Sequence, residues 1–143
     1  MSFNIFLDSD VILDVLLVRE GFFDDSCAVF NLSQEEKISL YTSSSVILNV
    51  QYVGQKLITK QKMSSTLYYL VESFFEIINP SKASILEAYK SDFLDFEDVL
   101  QYYTAVEFGE INYIITRNVK DYKKTETKIP ILTPTQFLKL RSK

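Results

Sequence analysis

The chain has 143 residues, 47% of them apolar and 24% charged, and 15 Lys and Arg stand against 19 Asp and Glu for a net charge of −4. That length and balance suit one ordinary soluble domain over residues 1–143, and they argue against disorder, a fibrous repeat or a coat protein held on nucleic acid by overall positive charge. There is no histidine and a single cysteine, Cys27. Their absence removes Ser-His-Asp and Cys-His catalysis, paired-histidine ribonuclease chemistry, Cys/His zinc sites and any intrachain disulfide.

The chain opens without a basic leader, its first apolar run is cut by Asp8, and no 18-residue uncharged stretch follows, so a cytoplasmic location is expected. Phe3 to Leu7 reads as a buried strand, Asp8-Ser9-Asp10 as a polar turn, and Val11 to Leu17 as a helix broken by Gly21. Helical spacing resumes from Phe22 to Glu36, with Cys27 inside it as a small buried hydrophobe, before Lys37 to Tyr41 alternates like a second strand. The hydroxyls of Thr42 to Ser45 offer caps for a long helix reaching about Lys62, and Ser64 or Ser65 for the next, to about Ser73. Phe74 to Ile78 supplies a third strand. Pro80-Ser81 then starts a helix expected to turn Ala83, Leu86 and Ala88 inward, and Asp95 opens another carrying Val99, Tyr102, Tyr103 and Val106. Gly109 stops that helix; Tyr113 to Thr116 and Ile129 to Leu132 read as strands four and five, and Pro134 begins a last helix.

Strands alternating with helices imply a three-layer α/β/α sandwich around a mostly parallel sheet of four or five strands, because parallel neighbours need crossover connections. Such folds bind ligands at the carboxyl ends of their strands. Three polar clusters fall at such places: Asp8 and Asp10 after the first strand, Asp95, Glu97 and Asp98 at a later helix start, and Asn118 and Asp121 after Thr116. Each also has a plain structural reading, since Asp8 and Asp95 suit helix N-caps, Asp95 to Asp98 a capping box, and Asn118 and Asp121 a turn, while Asp14 is expected to be solvated. Carboxylates converging on one sheet edge repel one another unless a cation joins them. Oxygen-only ligands select Mg²⁺ or Mn²⁺, and phosphodiester hydrolysis is the chemistry those ions perform without histidine.

The segments Ile5 to Asp14, Asp95 to Gln101 and Ile114 to Tyr122 together resemble the PIN domain family, over roughly Phe3 to Leu138. The resemblance implies a metal-dependent ribonuclease, of the kind that serves as toxin in bacterial toxin-antitoxin pairs, with RNA as substrate, an antitoxin as partner and a homodimer as assembly. It casts Asp8 and Asp98 as the catalytic acids, with Asp8, Asp98, Asn118 and Asp121 holding the metal and Asp10, Asn49, Asp95, Glu97 and Thr116 in support. Where the family carries a glutamate and a further acid, this chain has Asn49 and Asn118. The extra acids Asp10 and Asp121 would restore part of that charge; without such compensation, a weakened RNA- or protein-binding module is the alternative. Phe6 to Val11 also resembles the first motif of haloacid-dehalogenase-type phosphatases, in which the leading aspartate attacks phosphate.

Charge is unevenly spread: residues 1–36 hold eight acids against Arg19, and residues 117–143 hold eight bases against Asp121 and Glu126. Arg117 and Lys120 are therefore the expected phosphate contacts, with Lys56, Lys60 and Lys62 farther out. Tyr52, Tyr68, Tyr69, Tyr102, Tyr103, Tyr113 and Tyr122 offer stacking faces for unpaired bases. Tyr102 and Tyr103, adjacent on one helix, cannot both face inward, which makes one of them a candidate for a partner interface.

Overall fold

A computed structural model describes residues 3–35, 37–92, 95–122 and 127–141, apart from the side chain of Asp121. In chain order the elements are β1 (Phe3–Leu7), α1 (Ser9–Leu16), α2 (Phe23–Gln34), β2 (Ile38–Thr42), α3 (Ser44–Gly54), α4 (Lys60–Phe74) and β3 (Phe75–Ile77). They continue with α5 (Lys82–Lys90), α6 (Phe96–Phe108), β4 (Tyr113–Ile115), a single 3-10 turn (Val119–Tyr122), β5 (Ile131–Leu132) and α7 (Pro134–Arg141). The strands form one sheet in the order β3-β2-β1-β4-β5, and every neighbouring pair is parallel. This is the expected three-layer α/β/α architecture, with α5 and α6 packed on each other and α1 to α4 and α7 packed among themselves.

Strand β1 lies in the middle, which is why Ile5, Phe6 and Leu7 are a continuous apolar run with no exposed surface. Around it Val11, Ile12, Leu40, Val46, Val50, Ile114, Ile115 and Phe137 complete a core of fully or almost fully buried side chains. The chain builds outward from β1 to β3 on one side and then crosses to β4 and β5 on the other. The strand order thus reverses between β1 and β4, the place where parallel α/β folds receive ligands at the carboxyl ends of their strands.

Three expectations are corrected. The helix begun near Ser44 does not reach Lys62: α3 stops at Gly54, and Thr59, not Ser64 or Ser65, caps α4 by accepting from the Lys62 N–H at 3.2 Å. Gly54 allows the two helices to meet, since a Cβ there would stand 2.0 Å from the Cε of the fully buried Met63. In α5 the inward residues are Ser84 and Ala88, whereas Ala83 and Leu86 are exposed, because the Ser81–Ser84 capping box turns Ser84 into the α6 contact. Helix α1 ends before Gly21, at Leu16, after which Val18 adopts a left-handed backbone at φ 49° on the surface. Among the described residues no helix is long and apolar enough to cross a membrane.

Candidate active site

Two walls form the site. The first is made by the ends of β1 and β4. The Asp8 N–H donates to the Ile115 carbonyl at 3.1 Å, extending the ladder by one residue and fixing where the carboxylate emerges. Asp8 also caps α1: its Oδ1 accepts from the Ser9 N–H at 2.8 Å, while Oδ2 accepts from the Thr116 hydroxyl at 3.0 Å. Only 3% of Asp8 is exposed, so the capping role and the expected site role coincide on one residue. Two residues on, Asp10 Oδ2 accepts from the Arg117 N–H at 3.1 Å and lies 3.5 Å from the Thr116 hydroxyl. Thr116 in turn accepts from the Asn118 N–H at 3.1 Å. The turn after β4 is therefore written around the two carboxylates.

These two acids suffer from their placement. Burial, followed by the neighbouring Asp10, raises Asp8 from an ordinary 3.8 to about 7, although the Ser9 and Thr116 hydrogen bonds pull against the rise and Glu97 adds to it. Asp10 is raised as well, by burial above all, with the Arg117 N–H opposing. Its Oδ1 is buried and accepts no hydrogen bond from any described residue. Two desolvated, mutually repelling carboxylates with an unpartnered oxygen are the donor set a hard cation relieves. Among the described residues no group of three or more acids is gathered to enclose a metal alone. The fit is to an ion such as Mg²⁺, which keeps waters and takes part of its shell from substrate.

Behind Asp10 stands Asp14, and here an expectation fails. Asp14 is not solvated: it has no exposed surface, and it pairs with Arg117 Nε at 2.9 Å and Arg19 at 3.5 Å. The 2.9 Å contact is an ion pair whose angle lies outside hydrogen-bond geometry. Burial raises the Asp14 carboxyl, and the two arginines hold it down. The Arg117 guanidinium faces Asp14 and stacks on Phe22, 4.2 Å from the ring centre. Its side chain anchors the turn whose N–H groups hold Asp10.

The second wall is helical. Asp95 is the N-cap of α6 and accepts from the Asp98 N–H at 3.1 Å, as its capping reading requires. Asp98 is half-buried, and its carbonyl accepts from the hydroxyl of Tyr122 at 3.2 Å. That phenol, 2% exposed, feels Asp8, Asp98, Asp10 and Asp95; burial first and these acids next push it far above the usual tyrosine range. Loss of solvent and then Asp95 raise the Glu97 carboxyl. From α3, Asn49 donates to the Ser9 hydroxyl at 3.0 Å. Asn118 and Lys120 are exposed, and the Asp121 side chain lies outside the described residues.

Three contributors had weak or no signals in the sequence. Ser9 links Asn49 to the Asp8 cap, Asp14 anchors Arg117, and Gln101 accepts from Ser43 at 2.9 Å to tie α6 to the start of α3. Tyr122 closes the Thr116-to-Tyr122 segment and could have been found from its place in that motif. It is buried, so it is no stacking face; Tyr102 is buried too, while its neighbour Tyr103 is half-buried.

Residues 4–120 match the model of the PIN domain. Ribonuclease VapC1 of Aquifex aeolicus is 32% identical over 141 residues, covering 95% of this chain and 94% of that protein. Among solved structures, VapC20 of Mycobacterium tuberculosis, described as a sarcin-ricin loop cleaving toxin, superposes with a TM-score of 0.68 at 9% identity, covering 87% of this chain and 98% of that one. VapBC2 of Rickettsia felis, bound to a DNA fragment from its promoter, gives 0.66 at 19% identity, with coverages of 91% and 97%. At those identities the two structures bear on the fold alone.

Proposed function

The chain belongs to the PIN domain family, and from that premise we propose that it is a Mg²⁺- or Mn²⁺-dependent endoribonuclease, a single PIN-like domain over residues 1–143 that acts as the toxin of a toxin-antitoxin pair. The full-length likeness to a ribonuclease supports the activity. The observation that carries the site is the pairing of buried Asp8 with half-buried Asp10 at the Thr116 hydroxyl, with the buried Oδ1 of Asp10 left unpartnered. Its distance from the first motif of a haloacid-dehalogenase-type phosphatase follows from the family match, which spans Asp8, Asp10, Asp95 to Asp98 and Asn118.

Asp8 and Asp10 would hold the ion directly, which moves Asp10 from support into the holding set, with Asp98 of the facing helix, Asn118 and Asp121 completing it. When bound, a divalent cation supplies a water of lowered pKa and stabilises the leaving oxygen of the phosphodiester. The remaining work belongs to the chain. Thr116 fixes Asp8 Oδ2, the Ser9 N–H fixes Oδ1, and the Arg117 N–H fixes Asp10, so the carboxylates need no rearrangement when substrate arrives. Glu97, Asp95 and Asn49 frame the opening, and Lys120 and Lys56, both exposed, are the phosphate contacts.

The test is incubation of the purified chain with single-stranded RNA and Mg²⁺ or Mn²⁺, beside Asp8→Asn and an EDTA control. Cleavage by the parent chain alone is expected; equal cleavage by the variant, or cleavage indifferent to EDTA, would overturn the assignment. One observation favours the second reading, a binding module that does not cut: Asn49 stands where the family has a charged ligand, and its amide is already engaged by Ser9. RNA bound by the parent chain but left intact with either metal would select it. An antitoxin protein, a homodimer and the cytoplasm belong to the same proposal, as solved relatives include a toxin-antitoxin complex from Klebsiella pneumoniae. Co-expression with the product of an adjacent small gene, followed by sedimentation of the complex, tests partner and assembly together.

A further inference from the structure

A cleft of about 440 Å³ adjoins the acids; Leu48, Tyr52 and Glu97 line it, with Ser45 and Asn49. Its volume is in the range of small-ligand sites. Leu48 is 70% and Tyr52 57% exposed, so an apolar edge and an aromatic face are presented to solvent beside the site. The cleft is continuous with the site, because Asn49 reaches Ser9 at 3.0 Å and the Ser9 N–H in turn donates to the Asp8 carboxylate.

Its polar lining has one sign. The Ser43 hydroxyl donates to Gln101, so the 2.9 Å contact between Ser43 and Ser45 must use the Ser45 proton. That leaves Ser45 with lone pairs only. Asn49 has turned its amide nitrogen to Ser9, leaving its carbonyl oxygen, and Glu97 brings a carboxylate. An aromatic face with an acceptor-only rim suits a flat ligand that carries donors on its edge. Lys56 sits 4.1 Å from the centre of the Tyr52 ring. That ammonium covers one face of the ring and sets a positive charge beside the acceptor rim, which suits a flat ligand with a phosphate attached better than an arginine side chain.

We propose that this cleft seats an unpaired nucleobase of the RNA next to the bond being cut, and that it prefers guanine. Guanine alone presents two adjacent donors, N1–H and the exocyclic amine, to a carboxylate; adenine and cytosine pair one amine with an acceptor nitrogen, and uracil offers one N–H between two carbonyls. Glu97 reads the base, Tyr52 stacks on it, and Lys56 holds its phosphate. The inference rests on the ribonuclease reading above and specifies its substrate.

The experiment measures binding of short fluorescent oligouridylates carrying one central guanosine, adenosine, cytidine or uridine to the Asp8→Asn chain with Mg²⁺, alongside mapping of the cuts made by the chain with Asp8 intact. The guanosine oligonucleotide is expected to bind on the order of tenfold more tightly than the all-uridine one, with cuts clustered beside guanosine. Adding Glu97→Gln should erase the preference, whereas Tyr52→Ala should weaken all four by a similar factor, roughly fivefold or more. Both residues are exposed, so neither change disturbs the core. Equal binding of the four, or a preference that survives Glu97→Gln, would overturn the inference while cleavage, if present, leaves the ribonuclease reading standing. Displacement of no oligonucleotide but capture of an arginine-bearing peptide, lost on Glu97→Gln, would assign the cleft to a protein instead.

Discussion

The two walls of the site are built on opposite principles. At the β1/β4 edge Asp8 is buried and Asp10 half-buried, and the hydrogen bonds come from a neighbouring strand end: Asp8, Asp10, Thr116 and Arg117 are joined across more than a hundred residues of sequence. At the α3/α6 side the acids sit on a helix start, half-buried or exposed, and answer to local capping. The first wall is rigid because moving any member leaves a buried charge without its partner. The second can change its side chains with little effect on the fold, which makes it the place to tune what the site accepts.

That contrast is open to direct attack. The largest effect is expected from Asp8→Asn, which should lower RNA cleavage on the order of 10²- to 10³-fold with the fold intact, measured as single-turnover rates beside circular dichroism. Next comes Arg117→Met. It leaves Asp14, without exposed surface, facing only Arg19 at 3.5 Å, and should cost about 3 kcal/mol in urea unfolding; a loss below 1 kcal/mol would mean that the ion pair is no anchor. Thr116→Val should weaken divalent-ion binding and activity together by roughly 10- to 100-fold, since it frees Asp8 Oδ2 without removing a charge.

A milder test is pH. Asp8 moves from 3.8 to about 7 on folding, so the folded chain holds that proton more tightly than the unfolded one. The contribution to stability is full below pH 3.8 and lost as pH rises through about 7; Asp10 and Asp14 are shifted in the same direction. Melting temperatures of the metal-free chain should fall across that window, and Mg²⁺ should recover the loss at its upper end. A flat profile in EDTA would show that the acids do not strain the first wall. The smallest effect belongs to the second wall: Asp95→Ala removes the α6 cap and should cost about 1 kcal/mol.

Much of this was legible in the chain itself. Apolar periodicity placed all five strands, Asp8 and Asp95 carried capping signals that proved correct, and the absence of histidine with acids after the strands directed attention to oxygen ligands and a hard cation. Local chemistry fixes such features, because a cap or a buried strand is decided within a few residues. The α3–α4 break was not readable, since Gly54 matters only through Met63 arriving from the next helix. Nor were the partners of Arg117 and Asp14, four residues after Asp10 in one case and next to Thr116 in the other.

The sequence alone determined an alternating parallel α/β chain with acids at strand ends, because hydrophobic spacing and helix-start chemistry act over short range. Only the tertiary structure decided that Asp14 is buried and Arg117 turned inward, that Asp10 keeps an unpartnered oxygen, and that Tyr52, Asn49 and Glu97 border one cleft. Those facts depend on strands β1 and β4 being neighbours and on α3 meeting the start of α6, and a contact between residues far apart in the chain leaves no periodic trace in either segment.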